Sequence, residues 1–193
     1  MTQPRILAFA GSARRDSFNK KLVAIAAGGA KQAGADVTLI DLADYELPLF
    51  NQDLEAEKGL PEKAIALKKL FIEHQGLLVS CPEYNSSITP LLKNTIDWVS
   101  RQAPGEGGLA AYKGKVATLI SASPGALGGI RGLVTVRSIL GNIGVVVLPA
   151  QIAVPTAHQA IGENGRLKDE KMQASIEGLG RGLAEFLRKT TAP

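Results

Sequence analysis

Gly76-Leu77-Leu78-Val79-Ser80-Cys81-Pro82-Glu83-Tyr84-Asn85 joins a short apolar run to a polar turn, and the reading of that junction decides the fold. An apolar run of this length, bounded by turn residues, fits a strand buried on both faces. A helix-start pair, Thr89-Pro90, follows a few residues later, Thr as the cap and Pro as the first helical residue. Pro82 to Ser87 is therefore a loop at the carboxyl end of a parallel strand, where open α/β sheets bind ligands. A second loop, Gly11-Ser12-Ala13-Arg14-Arg15-Asp16-Ser17-Phe18-Asn19, comes after the first strand. Two such loops on one sheet edge indicate a site for a phosphorylated planar ligand.

Strand and helix patterns alternate outward from this junction. Arg5 to Ala10 reads as the first strand, and a helix runs from about Phe18 to Ala33, with Leu22, Ile25, Ala26 and Ala30 at helical spacing and Gly34 as its stop. Val37 to Ile40 is the second strand, followed by a loop through Pro48, Phe50 and Asn51. Pro61 opens a helix with Ala64, Leu67 and Phe71 on one face. Leu77 to Cys81 is the third strand, and Leu92, Thr95, Ile96 and Val99 mark the third helix. A glycine-rich connection, Gly105 to Gly114, leads into the fourth strand, Lys115 to Ser121, and then to a small-residue loop ending at Gly129. Leu133, Val136 and Leu140 mark the next helix, Val145 to Leu148 the fifth strand, and Met172, Ile176, Leu179, Leu183 and Phe186 the last helix. Continuous apolar strands mean a parallel sheet covered by helices. The expected fold is α/β, a flavodoxin-like doubly wound five-stranded parallel sheet of order 2-1-3-4-5, with residues 1–193 forming one domain.

The chain has 193 residues, 45% hydrophobic and 21% charged, an ordinary globular balance. No apolar stretch approaches the roughly 20 residues of a membrane span. The run after Arg5 meets Gly11 too early for a secretory signal, so a cytoplasmic protein is expected. The single Cys81 rules out an internal disulfide and a cysteine-rich metal site. The net charge of +4 is spread along the chain, without the basic patch and module of a nucleic-acid binder. Neither His74 nor His158 has metal-ligand spacing, and both read as surface or loop residues. Cys81 reads as a buried small hydrophobe.

The first loop carries Ser12, Arg14, Ser17, Phe18 and Asn19 at a helix start. A helix N-terminus exposes unpaired amides and the positive end of the dipole, and so attracts anions. An arginine adds paired hydrogen bonds to a phosphate. Ser17 or Asn19 as an ordinary N-cap is the alternative. Both the P-loop and the dinucleotide Gly-x-Gly-x-x-Gly patterns are absent, which favours a mononucleotide with one terminal phosphate. In the second loop Pro82 and Tyr84 offer flat apolar surface and Asn85 an amide. Glu83 either binds loop amides or is solvated. A third loop, with Ser121, Ser123, Pro124 and Gly125, has small residues that let a flat ring approach the backbone. No Ser-His-Asp set or carboxylate pair accompanies these loops, as suits a cofactor that performs its own chemistry.

At these residues the chain resembles the NAD(P)H-dependent FMN reductase family, in particular its chromate and quinone reductase branch. Gly11-Ser12-x-Arg14-x-x-Ser17-x-Asn19 is similar to the family's phosphate loop, and Pro82-Glu83-Tyr84-Asn85 with Leu92-Lys93-Asn94-x-Ile96-Asp97-Trp98 to its second signature. The resemblance covers nearly the whole chain. It implies non-covalent FMN, with the phosphate on Ser12, Arg14, Ser17, Phe18 and Asn19, the isoalloxazine bordered by Pro82, Glu83, Tyr84 and Asn85, and Ser121, Ser123, Pro124 and Gly125 near the ribityl chain and ring. It implies NADPH or NADH as donor and a quinone, azo compound, free flavin or metal oxyanion such as chromate as small-molecule acceptor. No metal, nucleic acid or membrane is involved, and the flavin itself, with no catalytic side chain, carries the chemistry. It also implies a homodimer or homotetramer with flavin close to the subunit interface, and Asn94, Asp97 and Trp98 as supports. Thr89-Pro90 departs from the Pro-Gly of many members, and Ala13 from a frequent Leu. The rival readings are a flavodoxin-type electron carrier, disfavoured by a pI near 9.2, and a non-catalytic regulatory protein of the same fold.

Overall fold

The structure, a computed structural model, describes residues 3–190. In chain order its strands are β1 (Arg5–Ala10), β2 (Asp36–Leu39), β3 (Gly76–Ser80), β4 (Glu83–Tyr84), β5 (Ser87–Ile88), β6 (Val116–Ala122) and β7 (Val146–Val154). The helices are α1 (Phe18–Gln32), α2 (Gln52–Lys58), α3 (Glu62–Glu73), α4 (Pro90–Ser100), α5 (Ile130–Asn142), α6 (Ala157–Ala160) and α7 (Glu170–Thr190). The main sheet is parallel with the order β2-β1-β3-β6-β7, and β4 and β5 form a separate antiparallel pair. Counted within the main sheet alone, this is the expected 2-1-3-4-5 order of a flavodoxin-like fold.

The apolar runs explain the layering. In β1, Ile6, Ala8 and Ala10 face a core shared with α1 and α7, while Leu7 and Phe9 face a second core built with α3, α4 and α5. Every residue of β3 and β6 is buried, because helices cover both faces of the sheet. On the first face α1 and α7 meet backbone to backbone. A Cβ at Gly29 would lie 2.0 Å from the Glu177 carbonyl oxygen, and one at Gly180 would lie 1.8 Å from that of Ala26. Gly34 has φ +82 just beyond α1 and ends it as the sequence indicates.

Three stretches differ from the sequence reading. The fifth strand continues past Leu148 to Val154 through a bulge. Ala117 pairs with Val147 and Leu119 with Gln151, so Leu148, Pro149 and Ala150 stand opposite Thr118 alone. Arg137 of α5 donates to the carbonyls of Val147 (3.2 Å) and Leu148 (2.8 Å) and to Gln151 Oε1 (2.9 Å), which satisfies the groups the bulge frees. The loop through Asn51 contains α2, capped by the Asn51 side chain, which accepts from the Asp53 N–H at 2.8 Å. No residue of α2 is buried, so it leaves no apolar period to read. His74 is not a surface residue: it is 4% exposed, with Nδ1 2.6 Å from the Leu70 carbonyl and Nε2 2.8 Å from Thr38 Oγ1. The short contact to a carbonyl assigns the proton to Nδ1, so Nε2 accepts from the threonine. A lone histidine carries no periodic signal that separates a core position from a loop.

Asn94 and Trp98 are supports, as the resemblance implies. Trp98 Nε1 and Asn94 Nδ2 donate to the Pro48 carbonyl at 2.7 and 2.9 Å, and Asn94 Oδ1 accepts from the Phe50 N–H at 2.8 Å. Among the described residues no helix is long and apolar enough to cross a membrane. The α1–α7 contact gives a direct test of the fold. Gly180→Ala forces the two helix backbones apart and is expected to cost about 2–3 kcal/mol, the range of core overpacking, read as a lower urea midpoint at unchanged m.

Candidate functional site

The carboxyl ends of β1, β3 and β6 bring the three loops of the sequence reading to one edge of the sheet. The strand order reverses between β1 and β3, the point at which doubly wound sheets take ligands. Gly11 follows β1, donating to the Ser80 carbonyl at 2.9 Å and accepting from the Thr89 hydroxyl at 2.7 Å. Thr89 also caps α4, accepting from the Leu92 N–H at 3.2 Å, so one hydroxyl links the first loop to the second. A Cβ at Gly11 would come 3.0 Å from Leu92 Cβ and 3.3 Å from Pro82 Cδ, which requires glycine for so close an approach.

At the start of α1, Ser17 occupies the N-cap position but its hydroxyl makes no capping bond. Among the described residues the N–H groups of Phe18, Asn19 and Lys20 have no acceptor, and the Arg14 guanidinium no partner. Ser12, 7% exposed, accepts from the Arg14 N–H at 3.3 Å and keeps its own O–H free. Arg14 is exposed and Phe18 half-buried against the core below. Uncapped amides, free hydroxyls and a free guanidinium are the kinds of donor that a phosphate monoester takes.

The side chain of Asn19 is committed elsewhere. It donates from Nδ2 to the Ala122 carbonyl at 2.8 Å, while Oδ1 accepts from the Ala122 N–H (3.0 Å) and the Ser80 hydroxyl (2.8 Å). It ties the first turn of α1 to the ends of β3 and β6 and leaves only its backbone N–H for a ligand.

The second loop is a hairpin rather than an irregular turn. Glu83 pairs with Ile88 and Tyr84 with Ser87, while Asn85 (φ 51) and Ser86 (φ 67) supply the two left-handed residues of a type I′ turn. Pro82 is buried beneath it, and Tyr84, Asn85 and Ser86 are exposed at its tip. Glu83 is not solvated. Its carboxylate accepts from the Arg131 guanidinium (2.9 and 3.1 Å) and from the Gly132 N–H (3.0 Å), and its side chain is 8% exposed. Burial alone raises its pKa, but the Gly132 N–H and then Arg131 outweigh that effect and hold the group below the usual range. With a folded-state pKa below the unfolded value near 4.3, the stabilisation is present above that pH and lost as pH falls through the lower value.

The third loop is fixed from beneath. Ser121 donates to the Cys81 carbonyl at 2.7 Å, and a Cβ at Gly129 (φ +93) would fall 2.1 Å from that hydroxyl. The Ser123 N–H donates to Val154 and its hydroxyl accepts from Gly125 at 3.2 Å. Ser123 is half-buried, and Pro124 and Gly125 are exposed above it. Cys81 is fully buried, and burial pushes its thiol pKa well up, so it is an unreactive core residue. Sequence reading misses the Glu83–Arg131 contact, since nothing in either residue's surroundings marks a pair 48 positions apart. The hairpin itself was readable, because Asn followed by a small residue at Asn85-Ser86 is a turn signal.

The family described as NADPH-dependent FMN reductase matches residues 4–159. The chain is 32% identical over 174 residues to a 2-hydroxy-1,4-benzoquinone reductase of a Burkholderia species, covering 90% of each protein. It is 31% identical over 186 residues to an NAD(P)H-dependent FMN reductase of Pseudomonas aeruginosa, covering 96% of each. Among solved structures it is similar to FerB, the flavoenzyme NAD(P)H:(acceptor) oxidoreductase of Paracoccus denitrificans, with a TM-score of 0.78, 28% identity, and 96% and 98% of the two chains covered. Asn19→Ala tests the frame beneath the loops. It strands the Ala122 peptide and Ser80 hydroxyl and is expected to cost about 3 kcal/mol, visible as a lower thermal midpoint of the protein without ligand.

Proposed function

The chain belongs to the NADPH-dependent FMN reductase family, and from that premise we propose that its three loops cradle FMN and that a quinone is its electron acceptor. It is an FMN-dependent NAD(P)H oxidoreductase. The observation that carries the cofactor assignment is the donor set at α1. The free N–H groups of Phe18, Asn19 and Lys20, the Ser17 and Ser12 hydroxyls and the Arg14 guanidinium hold the phosphate. The hairpin borders the isoalloxazine, Tyr84 and Asn85 through exposed groups and Pro82 and Glu83 through backbone. Ser123, Pro124 and Gly125 lie along the ribityl chain and ring, and Ser121 holds their loop from behind. On this reading residues 1–193 form one FMN-binding domain.

Bound FMN supplies the hydride chemistry, and the protein supplies binding, orientation and electrostatics. The α1 terminus would hold the phosphate end of FMN, and the loops after β3 and β6 would hold and orient its ring end. The relative that reduces a hydroxybenzoquinone supports a quinone as acceptor. Azo compounds, free flavin and metal oxyanions such as chromate belong to the same proposal, since the loops carry no side chain dedicated to one acceptor. Use of NADPH or NADH as donor supports a cytoplasmic setting for the reaction. Anaerobic NADPH added to the FMN-loaded protein is expected to bleach the flavin spectrum, and a quinone to restore it. A flavin spectrum that ignores the nucleotide would instead mark an electron carrier. Arg14→Ala, which removes a charged hydrogen bond worth about 1.5–3 kcal/mol, is expected to weaken FMN binding roughly 10- to 100-fold; unchanged affinity would remove Arg14 from the phosphate site.

A second copy of the chain covers the apolar face beside this site. Ile130 and Val134, one turn apart on α5, are 45% and 64% exposed, Leu127 in the loop before them is 53% exposed, and Tyr84 on the adjoining hairpin is 52% exposed. Clusters of this kind are interface material rather than ordinary surface. We assign this face to the homodimer or homotetramer contact. Val134→Glu is expected to shift the protein to a smaller species in light scattering, and an unshifted mass would place the contact elsewhere.

A further inference from the structure

We infer that Glu83 is a positioning residue, a latch that holds the ring-bordering hairpin against the start of α5 and thereby sets its spacing from the 123–129 loop. The inference rests on the cofactor reading above. Two-residue strands do not hold a hairpin alone, since even longer isolated hairpins are marginal in water. Here the tip adds two non-glycine residues at positive φ, Asn85 and Ser86, a conformation that itself costs energy. The hairpin therefore needs an anchor outside itself, and the described contacts identify it. Glu83 Oε2 takes the Gly132 N–H at 3.0 Å, and Oε1 takes two N–H groups of Arg131.

The α5 side of the contact is built to receive it. The N-cap position is Gly129, which has no side chain to offer, and the first turn contains no acidic residue. Glu83 thus does from another element what an N-cap side chain does locally, satisfying a first-turn amide and placing negative charge at the positive end of the helix. Gly132 is glycine for the same reason, since a Cβ there would lie 3.3 Å from both Glu83 Cβ and the Ser87 carbonyl oxygen. At the other end of the same segment Gly129 packs directly against Ser121 of β6, where a Cβ would fall 2.1 Å from the hydroxyl. The hairpin and the head of α5 are thereby joined beside the third loop.

The charges have a second effect. Glu83 and Arg131 cancel, so the latch adds no net charge beside a ring that gains electrons. Without Arg131, a carboxylate with 8% of its side chain exposed is left uncompensated at the base of the hairpin that borders that ring. The two partners therefore have distinguishable signatures. Loss of Glu83 loosens the hairpin. Loss of Arg131 also penalises the reduced, more negative cofactor.

The test is FMN titration of the apoprotein by fluorescence quenching, aerobically and with dithionite-reduced FMN, beside hydrogen exchange of the apoprotein over residues 83–88 and 132. Glu83→Ala is expected to speed exchange at these amides and to weaken FMN binding about tenfold, as loss of one charged hydrogen-bond acceptor implies. Glu83→Gln keeps an acceptor for Gly132 and is expected to stay within about threefold of the parent protein, a rescue that a volume effect at this position would also allow. Arg131→Met decides the electrostatic half: it is expected to weaken reduced FMN several-fold more than oxidised FMN, and the Glu83→Gln/Arg131→Met pair to abolish that difference. Parental FMN affinity in Glu83→Ala, or faster exchange with no change in affinity, overturns the latch as a device for the cofactor. Equal losses for both redox states in Arg131→Met overturn the charge argument. Failure of the parent protein to bind FMN would sink the cofactor reading instead, while exchange in the apoprotein would still report the latch.

Discussion

The buried amide of Asn19 is the interaction on which the site depends. A parallel sheet delivers several loops to one edge, but nothing in the ladder itself stops the helices from sliding along the strands that carry them. Asn19 prevents this at one point, with three hydrogen bonds that join the head of α1 to the last peptide of β6 and the last hydroxyl of β3. The Gly11 carbonyl and Thr89 hydroxyl make the corresponding join between the first loop and α4. Uncapped amides attract an anion only if they are held in place. These two joins hold them, at a distance from solvent that keeps their strength.

The fold was legible because its signals are redundant. Apolar runs at β1, β3 and β6 separate cleanly from the helical periods between them, and the stops at Gly34 and Thr89-Pro90 are local chemistry. The donors proposed for the phosphate were legible for the same reason, since they lie within one short loop. Legibility failed where the controlling contact is remote. Pro149 reads as the end of a strand, yet the strand survives it because Arg137, from a neighbouring helix, takes up the freed carbonyls. Nothing beside Glu83 in the sequence points to Arg131 or Gly132, and these partners arrive through packing of α5. Asn19 sits in the phosphate-loop pattern but its side chain serves the sheet, since a pattern of residue types does not say which way an amide points.

Chemistry and structure are divided unusually sharply along the chain. The described loops hold no pair of side chains placed to trade a proton. They supply donors for an anion, flat surfaces, and backbone held at fixed spacing. On the proposed function, such a site would leave the chemistry to the cofactor and select acceptors by access and orientation. Relatives named for different acceptors over one architecture are consistent with that division.

The bulge in β7 has a bearing on how copies of this protein can meet. As an outer strand of the sheet, β7 presents a line of unpaired peptide groups, the usual template for runaway strand addition. Leu148, Pro149 and Ala150 interrupt that line at mid-length, with one donor missing at the proline and the arc pinned by Arg137. A chain arriving side-on finds two short ladders out of phase instead of one long one. Growth by sheet extension, and the fibres it leads to, is thereby closed off along this edge, and assembly is left to the helical faces, where contacts can be finite and symmetric.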